Sequence, residues 1–211
     1  MASSTSSAST AAPTGRLCAV NLGTVRRLPV AGRTVMSAYG KRAVAGPIAV
    51  GPLGLAGDEQ ADLTVHGGLA KALYAYPAEH YPFWEQARRD AGVTAEADAG
   101  LLAAALPSGA LGENLTLEGL RESEVWVGDR LLLPDCELVV SEPRQPCYKF
   151  VAVMGFARAA KAMAESGFCG FYLRVARPGT LEAGQAFTLQ PGPREVRIDQ
   201  AFRLKMARRD V

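Results

Sequence analysis

From Leu17 to about Val65 the apolar residues come in short runs broken by glycine and proline: LCAVNLGTV, RTVMSAYG, GPIAVGPLGL and ADLTVHGG. Brief strands with frequent turns predict a mainly β fold, a barrel or a sandwich, rather than alternating β–α–β units. The period then changes. PAEHYPFWEQARRDAG, residues 77–92, opens on proline and carries an acid early and arginines late, so it predicts a helix. Pro82 is expected to kink that helix or reset its first turn. AEADAGLLAAAL, residues 95–106, predicts a second, shorter helix.

Strands resume at ENLTLEGL, EVWVGDRLLL and CELVVSEP. A helix is expected over residues 147–166, with Gly155 as a break and Gly167 as a stop. GFYLRVA and QAFTLQ supply two more strands. VGDRLLL and AGQAFTL share a glycine-led turn into a strand, but two short copies do not make a repeat architecture. After the turn-rich PGPREV, the segment IDQAFRLKMARRDV predicts a basic helix with Ile198, Phe202 and Met206 in an i, i+4 apolar row. Its outward Arg203, Lys205, Arg208 and Arg209 form a solvated basic face that could steer an acidic partner. The expected division is a disordered tail over 1–15, a β-barrel domain over 16–191 and a basic helical segment over 192–211.

Composition narrows the class. With 211 residues, 48% of them hydrophobic, the chain can fill one core. A net charge of +2 and 7% aromatic content lack the concentrated basic face of a nucleic-acid binder. No apolar run approaches the roughly 20 residues of a membrane span. MASSTSSASTAAPTG has neither the positive start nor the apolar centre of a secretory signal. Cys18, Cys136, Cys147 and Cys169 form no CxxC pair and have no companion histidine at zinc spacing, so free thiols in a cytoplasmic protein are expected.

One cysteine differs from the rest. In SEPRQPCYKF, residues 141–150, Pro146 suits the first position of a helix, which would put Cys147 in the first turn. The helix dipole, Arg144 and Lys149 would all favour a thiolate there, able to act as nucleophile, redox centre or metal ligand. Cys18, Cys136 and Cys169 read as small buried hydrophobes.

Three further patches carry candidate chemistry. In GLAGDEQADLTVHGGLAKALYAY, Gly67 and Gly68 allow close backbone approach to a ligand, flanked by His66 and the phosphate-suited cation Lys71. The same stretch also reads as a plain tight turn. In SGALGENLT, Glu113 and Asn114 sit just before a strand, placed to converge on a barrel mouth or to cap their own turn. In SGFCGFYLRV, Arg174 and Tyr172 share a strand face that points to a pocket or to solvent. A thiol hydrolase would need a histidine base, and only His66 is placed to serve. The cations suit an anionic ligand better than a neutral peptide, and a soft thiolate beside them suits a metal-bearing phosphorylated cofactor.

The series GLAGDEQADLTVHGGLAKALYAYP, GENLTLEGL, VGDRLLL, PRQPCYK and GFYLRV, in that order, resembles the MOSC domain family (molybdenum cofactor sulfurase C-terminal domain), and within it the YiiM-like branch. The resemblance runs from about Leu17 to Leu189. It implies a barrel-like, mostly β fold and a molybdenum cofactor, a phosphorylated pterin whose dithiolene holds the metal. The family's cysteine falls on Cys147, implied to be both metal ligand and catalytic residue. Cofactor-binding residues are then expected among His66, Gly67, Gly68, Lys71, Glu113, Asn114, Arg144, Lys149 and Arg174. At the level of the wider family, pyridoxal phosphate binding is also implied. Members of the branch are associated with reduction of N-hydroxylated compounds such as hydroxylamino purines, with electrons from a partner reductase. The alternative is a carrier of cofactor or sulfur that uses Cys147 without turnover. Two departures stand out. Chains of this branch usually continue into a small three-helix domain where this one has a single basic helix, and Gln185 replaces a usual aspartate in the last turn.

Overall fold

The computed structural model describes residues 14–60, 67–93 and 105–208. Thirteen strands and four α-helices are found among them. The first strands are β1 (Gly15–Leu22), β2 (Arg26–Val30), β3 (Arg33–Ser37), β4 (Arg42–Ala43), β5 (Ile48–Gly51) and β6 (Gly54–Leu55). Then come β7 (Leu73–Pro77), α1 (Tyr81–Asp90), β8 (Leu115–Glu118), β9 (Arg130–Leu132) and β10 (Glu137–Pro143). The rest are α2 (Tyr148–Met154), α3 (Ala159–Ser166), β11 (Phe171–Arg177), β12 (Gly179–Leu181), β13 (Ala186–Gln190) and α4 (Ile198–Ala207). The expected second helix falls mostly on residues outside the described ones.

Seven strands close into a barrel in the order β13-β9-β10-β11-β7-β8-β1, with β1 returning to β13. Every pairing in this ring is antiparallel except β7 with β8. A parallel neighbour needs a crossover, and the connection carrying α1 supplies it. β4 extends β1 at the barrel's edge, while β2–β3 form a separate hairpin and β12-β5-β6 a small side sheet.

All five residues of β7 are buried, because one face fills the barrel and the other is covered by helix. Trp84 of α1 is fully buried on that outer side and donates its indole N–H to the Tyr76 hydroxyl. A strand covered on both faces loses its period of two, and LYAYP accordingly reads as a continuous apolar run.

The 3-10 turn Ala78–His80 precedes α1, and Pro82 sits in the helix's first turn, where its missing N–H costs nothing. Gly155 and Gly167 adopt left-handed conformations that end α2 and α3. The expected 147–166 helix is therefore two helices. The strand expected across EVWVGDRLLL is shorter than its pattern, since Gly128 and Asp129 turn the chain in its middle. Asp129 accepts the Trp126 N–H at 3.0 Å, and the EVWV half pairs instead with the chain entering α4. Gln185 accepts the Glu182 N–H at 3.1 Å and closes the turn that leads into β13.

On α4, Ile198 and Phe202 are fully buried and Met206 packs against the core, as the apolar row requires. Burying the first two stabilises docking by about 3–5 kcal/mol. The basic face is drawn in at Lys205, while Arg203 and Arg208 stay exposed. Arg203 lies 3.5 Å from Asp199, and Lys205 pairs with Glu142 of β10. Among the described residues no helix is long and apolar enough to cross a membrane.

Candidate active site

At one mouth of the barrel, where β1 ends and β7 and β8 begin, a cleft holds about 650 Å³ of empty space, open solvent included. Five segments far apart in sequence converge on it: the β3–β4 connection, the chain after β6, the glycine turn before β7, the turn before β8, and the β10–α2 junction.

Cys147 lines this pocket, half-buried. It is not in the first turn of α2. Its backbone is extended (φ −129°, ψ 168°) and it is the N-cap, so Pro146 lies before the helix and Tyr148 begins it. The thiol thus stands on the corner between strand and helix, facing the pocket. α2 is only seven residues long, so the charge around Cys147 comes chiefly from neighbouring side chains rather than from the helix.

Arg144 is the dominant charge. Its side chain is buried, with only 4% of the residue exposed, and it lines the same pocket. The guanidinium sits 4.8 Å from the Tyr74 ring centre, 5.2 Å from Tyr39 and 5.7 Å from Phe150, and donates from Nη2 to the Tyr39 hydroxyl. Among the described residues it has no carboxylate partner, and Nη1 has no hydrogen-bond partner at all. Burial pushes the Tyr39, Tyr74 and Tyr172 phenols up, so all three are neutral around it. A buried cation with a spare donor is costly unless something anionic completes it.

Lys71 enters from the glycine turn, 5.6 Å above the Tyr172 ring and 3.5 Å from Glu142. Gly67 lines the pocket at φ 140°, and Gly68 follows at φ 81° as the cap of the next turn rather than as a pocket wall. His66 lies outside the described residues. Lys149 lines the pocket and donates to the Met36 carbonyl at 2.8 Å, tying α2 to β3. Asn114 is also in the wall, accepting the Tyr74 N–H at 3.2 Å and donating to Asp58 at 2.8 Å.

Besides Gly68, two more expected residues are placed off the pocket wall. Glu113 is fully buried behind the wall, where it accepts the N–H groups of Gly109 and Leu111 at 2.8 and 3.1 Å and the hydroxyls of Thr116 and Tyr81. Burial raises its pKa against those donors. It organises the turn that presents Asn114. Arg174 is exposed on β11 and is not among the residues lining the pocket. Tyr172, two residues away, takes the inward place.

Tyr39, Lys41, Asp58 and Tyr74 were not legible as pocket residues. Asp58 stood inside a stretch already singled out, but Lys41 in YGKR had no motif to mark it. Among the described residues no group of three or more His, Cys, Asp or Glu could hold a metal. Cys147 can therefore be one ligand of a metal only if a non-protein group supplies the others. The residues fit such a group: one half-buried thiol, a glycine approach, and a buried cation with an unused donor.

The fold is that of a closed seven-stranded β-barrel with a thiol and a buried arginine in one pocket at its mouth. The MOSC domain model matches residues 62–188, and the chain belongs to the MOSC domain family. The uncharacterized protein YflK of Bacillus subtilis and the protein YiiM of Escherichia coli are each 36% identical over 165 residues, covering 78% of this chain and 68% and 69% of theirs. A Gibberella moniliformis protein named as a reductase is 32% identical over 180 residues, 85% of this chain and 30% of that one. The crystal structure of YiiM from Geobacillus stearothermophilus superposes with a TM-score of 0.70 at 30% identity, covering 93% of this chain and 86% of its own. At the family level, MOSC domains are associated with the molybdenum cofactor and with oxidoreductases.

Proposed function

We propose that this pocket binds the molybdenum cofactor, with Cys147 as the protein ligand to the metal, and that the protein reduces N-hydroxylated compounds such as hydroxylamino purines using electrons from a partner reductase. The observation that carries this reading is Arg144: a buried guanidinium that, among the described residues, has no carboxylate partner and leaves Nη1 unused, in one pocket with a half-buried thiol.

Bound there, the cofactor would supply a redox-active metal able to pass two electrons to an N–O bond. The chain's own residues do the rest. Arg144 and Lys71 hold the pterin phosphate by charge-assisted hydrogen bonds, each contributing about 1.5–3 kcal/mol. Gly67 lets the backbone come close to the cofactor without a side chain between. Tyr39, Tyr74 and Phe150 cage the guanidinium, restrict its motion and keep water from it.

The test is protein made in a host that synthesises the cofactor, assayed for molybdenum and for turnover of a hydroxylamino purine with a chemical electron donor. About one molybdenum per chain with turnover supports the reading. Molybdenum without turnover would favour a carrier, and no molybdenum would remove the reading altogether.

A further inference from the structure

Another wall of the pocket carries two opposite charges that pair with each other. Lys41 and Asp58 form an ion pair whose side chains are 8% and 3% exposed, and both line the cleft that holds Cys147. Both carboxylate oxygens of Asp58 accept hydrogen bonds. Oδ1 accepts the Gly23 N–H at 2.8 Å and the Lys41 ammonium, and Oδ2 accepts Asn114 Nδ2 at 2.8 Å. Asn114 is itself oriented by the Tyr74 N–H.

Lys41 is seated as closely as Asp58. A Cβ at Gly23 would lie 2.9 Å from Lys41 Cγ, and one at Gly109, already at φ +89°, would lie 2.5 Å from the Lys41 carbonyl oxygen. Glycine at both places lets the chain close around the lysine stem. Among the described residues Asp58 is the only hydrogen-bond partner of the ammonium, so an ammonium with three hydrogens has donors left for the pocket.

We infer that Lys41 is the general acid of the reduction and that Asp58 and Asn114 are its positioning residues. This rests on the N–O reductase reading above. The reaction is R–NHOH plus two electrons and two protons giving R–NH2 and water. Lys41 Nζ gives one proton to the hydroxyl oxygen as the N–O bond breaks, and the oxygen leaves as water with the bonding pair. The nitrogen receives the two electrons, which come from the reduced donor, and takes its proton from solvent. Solvent then reprotonates Lys41. Without that proton the leaving group would be hydroxide, and a positioned acid typically contributes about 10²–10⁴-fold.

An ordinary lysine holds its proton too tightly to serve well near neutral pH. Burial lowers the Lys41 pKa, with Asp58 and then Glu113 opposing the shift. Besides these two carboxylates, the pocket presents Glu59, the Cys147 thiol, the phenols of Tyr39, Tyr74 and Tyr172, and the cations Lys71, Arg144 and Lys149. An acid must be protonated to act, so kcat should hold at lower pH and fall as pH rises through the Lys41 pKa.

The experiment is turnover of a hydroxylamino purine by cofactor-loaded protein with reduced methyl viologen across pH, alongside molybdenum content. Lys41→Met and Lys41→Arg should each lower kcat by about 10²-fold or more, with little change in KM or molybdenum content and with the basic limb gone. Asp58→Asn should move that limb to lower pH, because an unpaired buried ammonium gives up its proton more readily. In protein without cofactor, competitive acetylation should label Lys41 at lower pH than surface lysines, and Asp58→Asn should lower that pH further. Turnover that Lys41→Met keeps within about threefold, or a limb and labelling profile that Asp58→Asn leaves in place, would overturn this role alone. A wild-type protein that holds molybdenum but reduces no N–O bond would overturn the reductase reading and this role with it.

Discussion

Glu142 is shared between two lysines that belong to different parts of the molecule: Lys71 at the pocket, 3.5 Å away, and Lys205 on the C-terminal helix. The carboxylate therefore competes with any pocket anion for Lys71, and the helix helps to hold that competitor. Glu142→Gln should raise the affinity of the unloaded protein for inorganic phosphate roughly two- to fivefold, the range of a partly exposed ion pair. Lys205→Ala, which leaves Glu142 to Lys71 alone, should lower it. Calorimetric titration reads both, and equal affinities in all three proteins would mean that Lys71 does not meet the anion.

Cys147 should be the one cysteine that the site needs. Cys147→Ser should abolish reductase activity and reduce molybdenum content, whereas Cys18→Ser, Cys136→Ala and Cys169→Ala should keep most of both. Burial pushes the Cys18 and Cys136 thiols up to about 11 and raises the Cys169 thiol well above its ordinary value, which keeps all three protonated at neutral pH. Iodoacetamide should therefore label Cys147 first in unloaded protein, as read by peptide mass spectrometry. Labelling spread evenly over the four would contradict this.

Replacing Arg144 separates charge from shape. Arg144→Ala should lower cofactor occupancy about tenfold or more, the equivalent of one charge-assisted hydrogen bond. Arg144→Lys keeps the charge but loses the planar fork and its stacking on Tyr39 and Tyr74, so it should recover only part of the loss. Molybdenum per chain after gel filtration measures this. Unchanged occupancy in both variants would place the phosphate elsewhere.

The C-terminal helix should contribute stability through Phe202. This side chain is fully buried, and Phe202→Ala should cost about 3–5 kcal/mol in urea unfolding. Arg208→Ala, an exposed change on the same helix, should stay within about 0.5 kcal/mol.

Much of this protein was decided locally. Strand-and-turn rhythm, the capping glycines after α2 and α3, and the apolar row Ile198, Phe202 and Met206 all follow from short-range periodicity, because one exposed and one buried face leave a repeat in the chain. The same holds for Cys147 with Arg144, and for the Gly67–Lys71 turn, whose chemistry is concentrated within a few residues. Local reading ended where contacts span the barrel. It placed Cys147 inside a helix turn because the angle between β10 and α2 is set by packing, and it could not tell Arg174 from Tyr172, since a strand pattern does not say which residue a barrel mouth will claim. Lys41 and Asp58 are 17 residues apart and meet only because barrel closure brings the β3–β4 connection against the chain after β6. Their pairing depends on burial, which no single stretch of sequence carries, and the shift in Lys41 is a property of the assembled pocket.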